Sequence, residues 1–424
     1  MLPRTASGRT AAPAPHGWVQ AVTVALAGFA AMLVVAALGL WAAGATDLPA
    51  GAFPRVVAAT VVSAVGGSVH VSGNAGSLAR TRAELTAIPL SVTLTGALVT
   101  AAGFLRPLRH RAVAGGTELA GWAARIAVPW LLALLGLALA ARRTIDLEVG
   151  GVLGDLGDLL DTKPRIVFGA DVPPTLLFGL LWLAGVLLLA LLVSRGAPLP
   201  GRLLRHRESV RPAAHAVVVL LLVYVALAAV VTLVAAARGG HPGRMFAVLL
   251  LGLPNLAWPA LTLGLGATWH GRVDGPFGLP LPGVVSELLR TPDVTTLDLG
   301  TLAEHDGRAW WLLVAAVVLV PATGFLMAVR SPARVPLWRH AVHLAVALAL
   351  AVLAVCLLCR VFARYDLSLL GLGDLGGGLS GELHLWPDLW SAVGLAALWG
   401  LVCGFLGGLL ARPVRRREDR REAS

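Results

Sequence analysis

The feature that most constrains this chain is a succession of ten apolar segments, most of them long enough to cross a bilayer as a helix. A helix needs roughly 20 apolar residues to cross a hydrocarbon core of about 30 Å. Charged residues make up only 13% of the chain, too few to cover the surface of a soluble protein of this length. We therefore predict an all-α polytopic membrane protein. The segments are residues 18–43, 53–71, 88–105, 126–141, 176–193, 213–236, 246–269, 310–329, 341–359 and 389–410.

The basic residues lie mostly in short loops between these segments, so the net charge of +11 favours the positive-inside rule over nucleic-acid binding. If all ten segments crossed, basic loops would fall on both sides of the membrane. If residues 53–71 and 246–269 instead enter and leave on the outer side, the inner loops and tails hold 20 of the 34 basic and 5 of the 23 acidic residues. We therefore expect about eight crossings plus two interrupted or re-entrant segments, with both termini cytoplasmic.

Both exceptional segments carry residues that interrupt a helix. The second contains Pro254 and Pro259, which remove backbone donors, and the first contains Gly66 and Gly67. Interrupted backbone at membrane depth is tolerated only where it is buried in protein or lines a wet cavity. The alternative is that the polar residues lie at the interface and the glycines permit close packing. The candidate substrate-binding residues are Arg55, Ser68, His70, Asn74, Asn255 and Thr262.

An internal repeat divides the chain into two parallel copies. A shift of 217 residues places Arg143 on Arg360, Asp171 on Asp388 and Trp182 on Trp399, at matching positions of the predicted topology. The predicted organisation is a cytoplasmic tail, two membrane repeats and a disordered basic cytoplasmic tail. These parts are residues 1–17, 18–205, 206–411 with an outer loop at 270–308, and 412–424.

Other motifs favour packing over chemistry. Gly400, Gly404 and Gly408 share one face of the last segment, which permits close helix contact within the chain or with another subunit in a homo- or hetero-oligomer. Cys356 and Cys359 have no accompanying ligands, so we expect no metal and no cofactor. The Gly371–Asp374 stretch matches the GxGD signature of intramembrane aspartyl proteases, but Asp366 lies in the same predicted loop rather than on a separate span. We expect a glycine-rich turn there and no catalytic residues.

Several stretches are similar to a known family. They are GGSVHVSG at 66–73, RPLRHR at 106–111, ESVRPAA at 208–214, SPARVPLWRH at 331–340 and LGLGDLGGGL at 370–379. Together they resemble the streptophobe family, hydrophobic membrane proteins of Streptomyces and related actinobacteria, nearly from end to end. The resemblance implies an integral protein of an actinobacterial cell membrane. That family has no established activity, so the resemblance implies no functional residues.

Three functions remain open at this point. The first is a transporter- or channel-like protein of unknown substrate, with its site between the two interrupted segments. The alternative is a non-catalytic membrane scaffold or partner subunit in envelope or developmental processes. The second alternative, an intramembrane enzyme, has little support because Walker, HExxH, GxSxG and dinucleotide-binding motifs are missing from the sequence. In each case the lipid bilayer is the main partner, and no nucleic acid is expected.

Overall fold

A computed structural model describes residues 17–47, 51–67, 69–75, 79–108, 116–141, 143–146, 165–194, 204–239, 242–274, 295–332, 335–369 and 381–422. Over these residues the chain forms twelve α-helices and eight β-strands. The helices are α1 (Trp18–Ala42), α2 (Phe53–Ala64), α3 (Leu90–Leu105), α4 (Gly116–Ala140), α5 (Val172–Val193), α6 (Leu204–Arg238), α7 (Pro242–Leu251), α8 (Leu253–Gly264), α9 (Leu299–His305), α10 (Trp310–Arg330), α11 (Leu337–Leu358) and α12 (Leu389–Glu422). The strands are β1 (Val69–Ala75), β2 (Ala79–Thr86), β3 (Arg143–Asp146), β4 (Arg165–Ala170), β5 (Trp269–Asp274), β6 (Thr295–Leu297), β7 (Val361–Leu369) and β8 (Gly381–Pro387).

The helices form a membrane-spanning bundle. Within the described ranges, seven helices are long and apolar enough to cross a bilayer, and α7 and α8 form a pair bent by 76°. Helix α1 carries an exposed tryptophan at each end, Trp18 and Trp41, which lie about 35 Å apart along a helix of 1.5 Å rise per residue. This spacing matches the two interfacial levels of a bilayer, where tryptophan is enriched. The predicted fold class, a polytopic all-α membrane protein, is confirmed.

An antiparallel sheet covers one end of the bundle, which we call the sheet end. Its strand order, over the part of the chain that is described, is β3-β4-β1-β2-β7-β8-β5-β6. The join between the first and second halves of the chain is the β2–β7 pair, in which Ala79 lies opposite Leu369 and Thr86 opposite Phe362. Every strand comes from a segment that the sequence analysis placed on the outer side. The sheet itself was not predicted.

The two faces of the sheet differ in polarity because residue types alternate along each strand. In β8, Leu383 and Pro387 are buried, whereas His384 and Trp386 are partly exposed on the other face. The buried face packs on the bundle, and its contacts form a hydrophobic cluster that joins strands β5, β6, β7 and β8 to helices α3, α8 and α11. Its members include Trp269, Leu297, Ala363, Leu383, Leu90, Trp258 and Val355. The second-half part of the sheet is therefore a continuation of the membrane core rather than a separate domain.

Each interrupted segment has an end near the sheet end. At the start of α7, a side chain added at Gly243 would lie 3.1 Å from the carbonyl oxygen of Ala42 at the end of α1. At the end of α2, the Thr93 hydroxyl in the first turn of α3 donates to the Ala64 carbonyl at 2.7 Å. Because α3 follows β2 directly, this position is next to the sheet. These contacts agree with the predicted re-entrant segments. The predicted eight crossings would be the seven long apolar helices and α3, which at 16 residues is shorter than the others.

The two halves of the chain have the same order of elements. The strand order β3-β4-β1-β2 of the first half recurs as β7-β8-β5-β6 in the second. Helices α2 and α8 also end alike: Gly66 and Gly266 have φ values of 91° and 94°, and the amides of residues 66 and 67 bond to the carbonyls of 63 and 62 as those of 266 and 267 do to 263 and 262. This is a Schellman cap, in which glycine takes the left-handed position. The correspondence is one of element order, and the duplication itself stays a prediction.

The structure differs from the sequence analysis in three local places: the C-terminal tail, the boundary between the repeats and the outer loop. Residues 412–422, predicted to be a disordered tail, continue α12 to Glu422, since the Arg- and Glu-rich sequence there favours helix. The boundary at residues 205 and 206 falls inside α6. In the outer loop, the strand β6 and the short helix α9 account for residues 295–305, and residues 275–294 lie outside the described part.

Candidate functional site

The break between α7 and α8 is the most unusual backbone feature of the bundle. It falls at Gly252, and Pro254 in the first turn of α8 has no amide proton to donate to the preceding helix. A break of this kind leaves carbonyls at the end of one helix and amides at the start of the next without intrahelical partners. Away from water, each such group costs several kcal/mol unless another group satisfies it.

Ser91, from the first half of the chain, supplies partners for both sides of this break. Its hydroxyl donates to the Leu249 carbonyl near the end of α7 at 3.0 Å and accepts from the Leu253 amide at the start of α8 at 3.1 Å. Ser91 itself lies in the first turn of α3. One side chain therefore satisfies an acceptor and a donor that the break exposes.

Asn255, from the second half of the chain, in turn satisfies backbone groups of the first half. Its Oδ1 accepts a hydrogen bond from the Leu90 amide at 3.1 Å, and its Nδ2 donates to the Ile88 carbonyl at 2.8 Å. The Leu90 amide is one of the N-terminal donors of α3 that no helical carbonyl reaches. Asn255 thus acts as a helix cap supplied from the other half of the chain. We call the four bonds made by Ser91 and Asn255 the reciprocal cap.

Thr262 is engaged in the same helix, about two turns beyond Asn255. Its hydroxyl donates to the Pro259 carbonyl at 2.8 Å and accepts from the Trp269 indole at 2.9 Å. Thr262 is fully buried and Trp269 is 2% exposed. These bonds satisfy the indole N–H inside the core and tie the first residue of β5 to helix α8.

The structure does not bring the six predicted site residues into one cluster of described side chains. Arg55 is half-buried in the first turn of α2, and Ser68 lies outside the described residues. His70 and Asn74 are strand positions, at which His70 is opposite Glu84 and Asn74 is opposite Arg80. Asn255 and Thr262 lie in α8 and use their polar atoms in the bonds described above. Whether any of them contacts a substrate stays a prediction.

A row of aromatic rings crosses the outward face of the sheet in the second half. Phe362 and His384 lie edge to face with centroids 5.7 Å apart, and His384 lies 4.2 Å from Trp386. His270 on the neighbouring strand lies 5.7 Å from Trp386 on its other side. Exposed Arg272 and Arg364 lie beside these rings. We call the four rings together with these two arginines the aromatic row. Sequence reasoning missed it, although the alternation of Glu382-Leu383-His384-Leu385-Trp386 is a strand pattern.

The other motifs carry no chemistry over the ranges described. Cys356, Cys359 and Cys403 are buried free thiols. Asp366 is a strand position opposite Arg82, and the Gly371–Asp374 stretch is outside the described residues. Among the described side chains, no three or more His, Cys, Asp or Glu residues are grouped so that they could hold a metal ion.

The glycine stripe of α12 packs inside the chain. A side chain added at Gly404 would lie 2.6 Å from the His340 carbonyl oxygen, and one at Gly408 would lie 2.8 Å from Leu337. Gly400 lies against Ala345 of the same helix, α11. Association with other subunits therefore needs a different surface, or a rearrangement of this one, and stays a prediction.

Comparison with known proteins adds no identification. The chain matches no protein-family model, and comparisons with curated proteins and with solved structures give no significant match.

Proposed function

We propose that this protein is a non-catalytic membrane component that presents the outward face of its sheet to a partner outside the bilayer. The observation that carries this proposal is the sheet itself, which runs across both halves of the chain and packs the apolar face of its second-half strands on the bundle. A bundle that only needed short loops would not require a continuous platform of this kind. The aromatic row offers rings and exposed guanidinium groups, which are enriched at protein interfaces.

Transport is the second candidate, and the bent α7–α8 pair is the observation that favours it. Paired broken helices mark the binding site in many transporters because free helix ends bind substrates and ions. Here, however, the reciprocal cap occupies the polar groups at the break. A substrate bound there would have to displace these bonds. Because these groups are already hydrogen-bonded, we favour the platform proposal over transport.

The cellular setting is also part of the proposal. The chain is a multi-pass membrane protein, and the asymmetry of its basic residues supports both termini lying in the cytoplasm of a bacterial cell and the sheet outside it. Membership of the streptophobe family stays a proposal, based on the stretches quoted above.

Complementation of a deletion strain distinguishes the two candidate functions. In the platform proposal, reversing the charge of Arg272 and Arg364 together (Arg272→Glu and Arg364→Glu) abolishes complementation at a normal membrane level of the protein. Arg308→Glu, an exposed arginine at the same end but off the sheet, is the matched control and retains it.

In the transport proposal the sensitive position is Asn255. If Asn255→Leu accumulates normally and fails to complement, while the charge-reversed sheet variant complements fully, the platform proposal is wrong and transport leads. If Asn255→Leu complements the deletion as well as the wild-type protein does, at an equal amount of protein in the membrane, the platform proposal is supported.

A further inference from the structure

A groove opens between α11 and α12 at the bundle end opposite the sheet. It has a volume of about 460 Å³ and is lined by Trp338, Ala341, Val342, Leu401, Val402, Phe405 and Leu406. The lining is apolar, and most of these side chains are substantially exposed, from Val342 at 41% to Trp338 at 61%. This surface belongs to the lipid-facing side of two membrane helices, so its natural neighbour is a lipid.

The groove exists because small residues bring the two helices very close on one side of their contact. Gly404 lies directly against the Ala341 backbone, where an added side chain would come within 2.8 Å of the Ala341 Cα. The larger side chains of Phe405 and Trp338 line the groove, one from each helix.

Two arginines stand at the end of the groove where the helices leave the membrane. The Arg339 guanidinium lies 5.3 Å from the centre of the Trp338 ring, which forms part of the groove wall. Arg412 is exposed and lies seven residues beyond Phe405, two turns along the same face of α12. Among the side chains that are described at this end of the second half, none is an Asp or Glu.

We propose that this groove binds an anionic phospholipid, with an acyl chain along the apolar wall and the headgroup phosphate between Arg339 and Arg412. Charge complementarity selects the occupant: two cations without a described carboxylate face the level at which headgroup phosphates lie. Arginine suits this role because its planar donors match phosphate oxygens. The Trp338 ring holds the Arg339 guanidinium at the wall by a cation–π contact. This proposal is independent of the platform proposal.

The test uses the full-length protein purified in detergent, with lipid added as mixed micelles. We expect phosphatidylglycerol to raise the Tm, measured by tryptophan fluorescence, by several degrees more than phosphatidylcholine of the same acyl chains, because a ligand that binds only the folded state stabilises it. Native mass spectrometry of the wild-type protein should retain phosphatidylglycerol in preference to phosphatidylcholine. Inorganic phosphate, which lacks the acyl chain, should give no shift.

Variants locate the effect. Arg339→Gln with Arg412→Gln should reduce the phosphatidylglycerol shift to that of phosphatidylcholine, whereas Arg244→Gln with Arg308→Gln, two exposed arginines at the sheet end, should leave it unchanged. Val342→Trp should fill the groove and remove retention of both lipids.

Three results would overturn the proposal. The first is equal retention of the two lipids by the wild-type protein, and the second is an undiminished phosphatidylglycerol shift in the Arg339 and Arg412 double variant. The third is a dimer that Val342→Trp dissociates, because the groove would then be occupied by a second copy of the chain. The first result needs no variant, so it tests the proposal even if the substituted proteins do not fold.

Discussion

At the scale of single residues, the broken helix is stabilised by partners that lie far away in the sequence. Asn255 is 165 residues from Leu90, and Ser91 is 158 residues from Leu249. The sequence shows that a break near Pro254 needs polar partners, and it identifies Asn255 as a residue of interest. It does not show which groups Asn255 contacts, because that depends on how the halves pack. Ser91 was missed for the same reason, since a serine near a helix start is ordinarily read as a local cap.

Replacing Asn255 should therefore reduce stability. Asn255→Leu removes two hydrogen bonds and leaves the Leu90 amide and the Ile88 carbonyl unsatisfied, which should cost about 1–3 kcal/mol of unfolding free energy. Arg55→Leu, at the corresponding position of α2, is the matched control and should change stability much less. Equilibrium unfolding in mixed micelles of increasing SDS content gives both values. Equal effects of the two substitutions would argue against the reciprocal cap.

The glycine stripe makes a sharper steric prediction. Gly404→Val should destabilise the protein by about 1–3 kcal/mol or more, because the new side chain meets the backbone of α11 at His340 and Ala341. Gly394, on the same helix, has open space around it, and Gly394→Val should cost far less. The two variants are compared by thermal unfolding. A tolerated substitution at Gly404 would mean that α11 and α12 lie further apart.

At the scale of secondary-structure elements, the helices were predictable and the strands were missed. Each of the ten apolar segments contains a helix or a bent helix pair, because a long apolar run in a membrane chain has few alternatives. The strands follow a period of two, as in Val69-His70-Val71-Ser72 and Arg80-Thr81-Arg82-Ala83. Such alternation over seven or eight residues is a strand signal. It was overlooked because these stretches lie between apolar segments and were treated as loops.

The β2–β7 pair joins the halves and has a register that cross-linking can test. Thr86 lies directly opposite Phe362, and opposed residues of antiparallel strands have Cα atoms roughly 4.5–5.5 Å apart, within disulfide range. The double variant Thr86→Cys with Phe362→Cys should therefore form an intramolecular disulfide on mild oxidation, detected by mass spectrometry of peptides. The pair Thr86→Cys with Val361→Cys places the thiols on opposite faces and should form none. Cross-linking of the second pair in preference to the first would contradict the register.

At the scale of the whole molecule, the architecture follows from how charge is distributed between the two ends of the bundle. Charge asymmetry predicted that residues 53–71 and 246–269 do not cross. In agreement, the end of α2 lies beside the first turn of α3, and the start of α7 lies beside the end of α1. The order of elements in the two halves agrees with the predicted repeat. Packing is similar within the halves, since α8 lies against α10 at Gly264 as α2 lies against α3. Between the halves, α8 also bonds to the start of α3 through Asn255, and the corresponding residue of α2 is Arg55. This asymmetry depends on residues that differ between the halves, and periodicity alone could not have revealed it.

The central claim is that a bundle of eight crossings carries one sheet at one end, with α2 and the α7–α8 pair entering and leaving at that end. Single-cysteine accessibility in intact membrane vesicles, in a background without the native cysteines, tests it most directly. Cysteine is placed before and after each interrupted segment, at Thr46 and Thr86 and at Gly239 and Thr296, with Ser331 reporting the opposite end. We predict that a membrane-impermeant maleimide reaches the first four positions from one side of the membrane and Ser331 from the other. Labelling of Thr46 and Thr86, or of Gly239 and Thr296, from opposite sides would contradict the account.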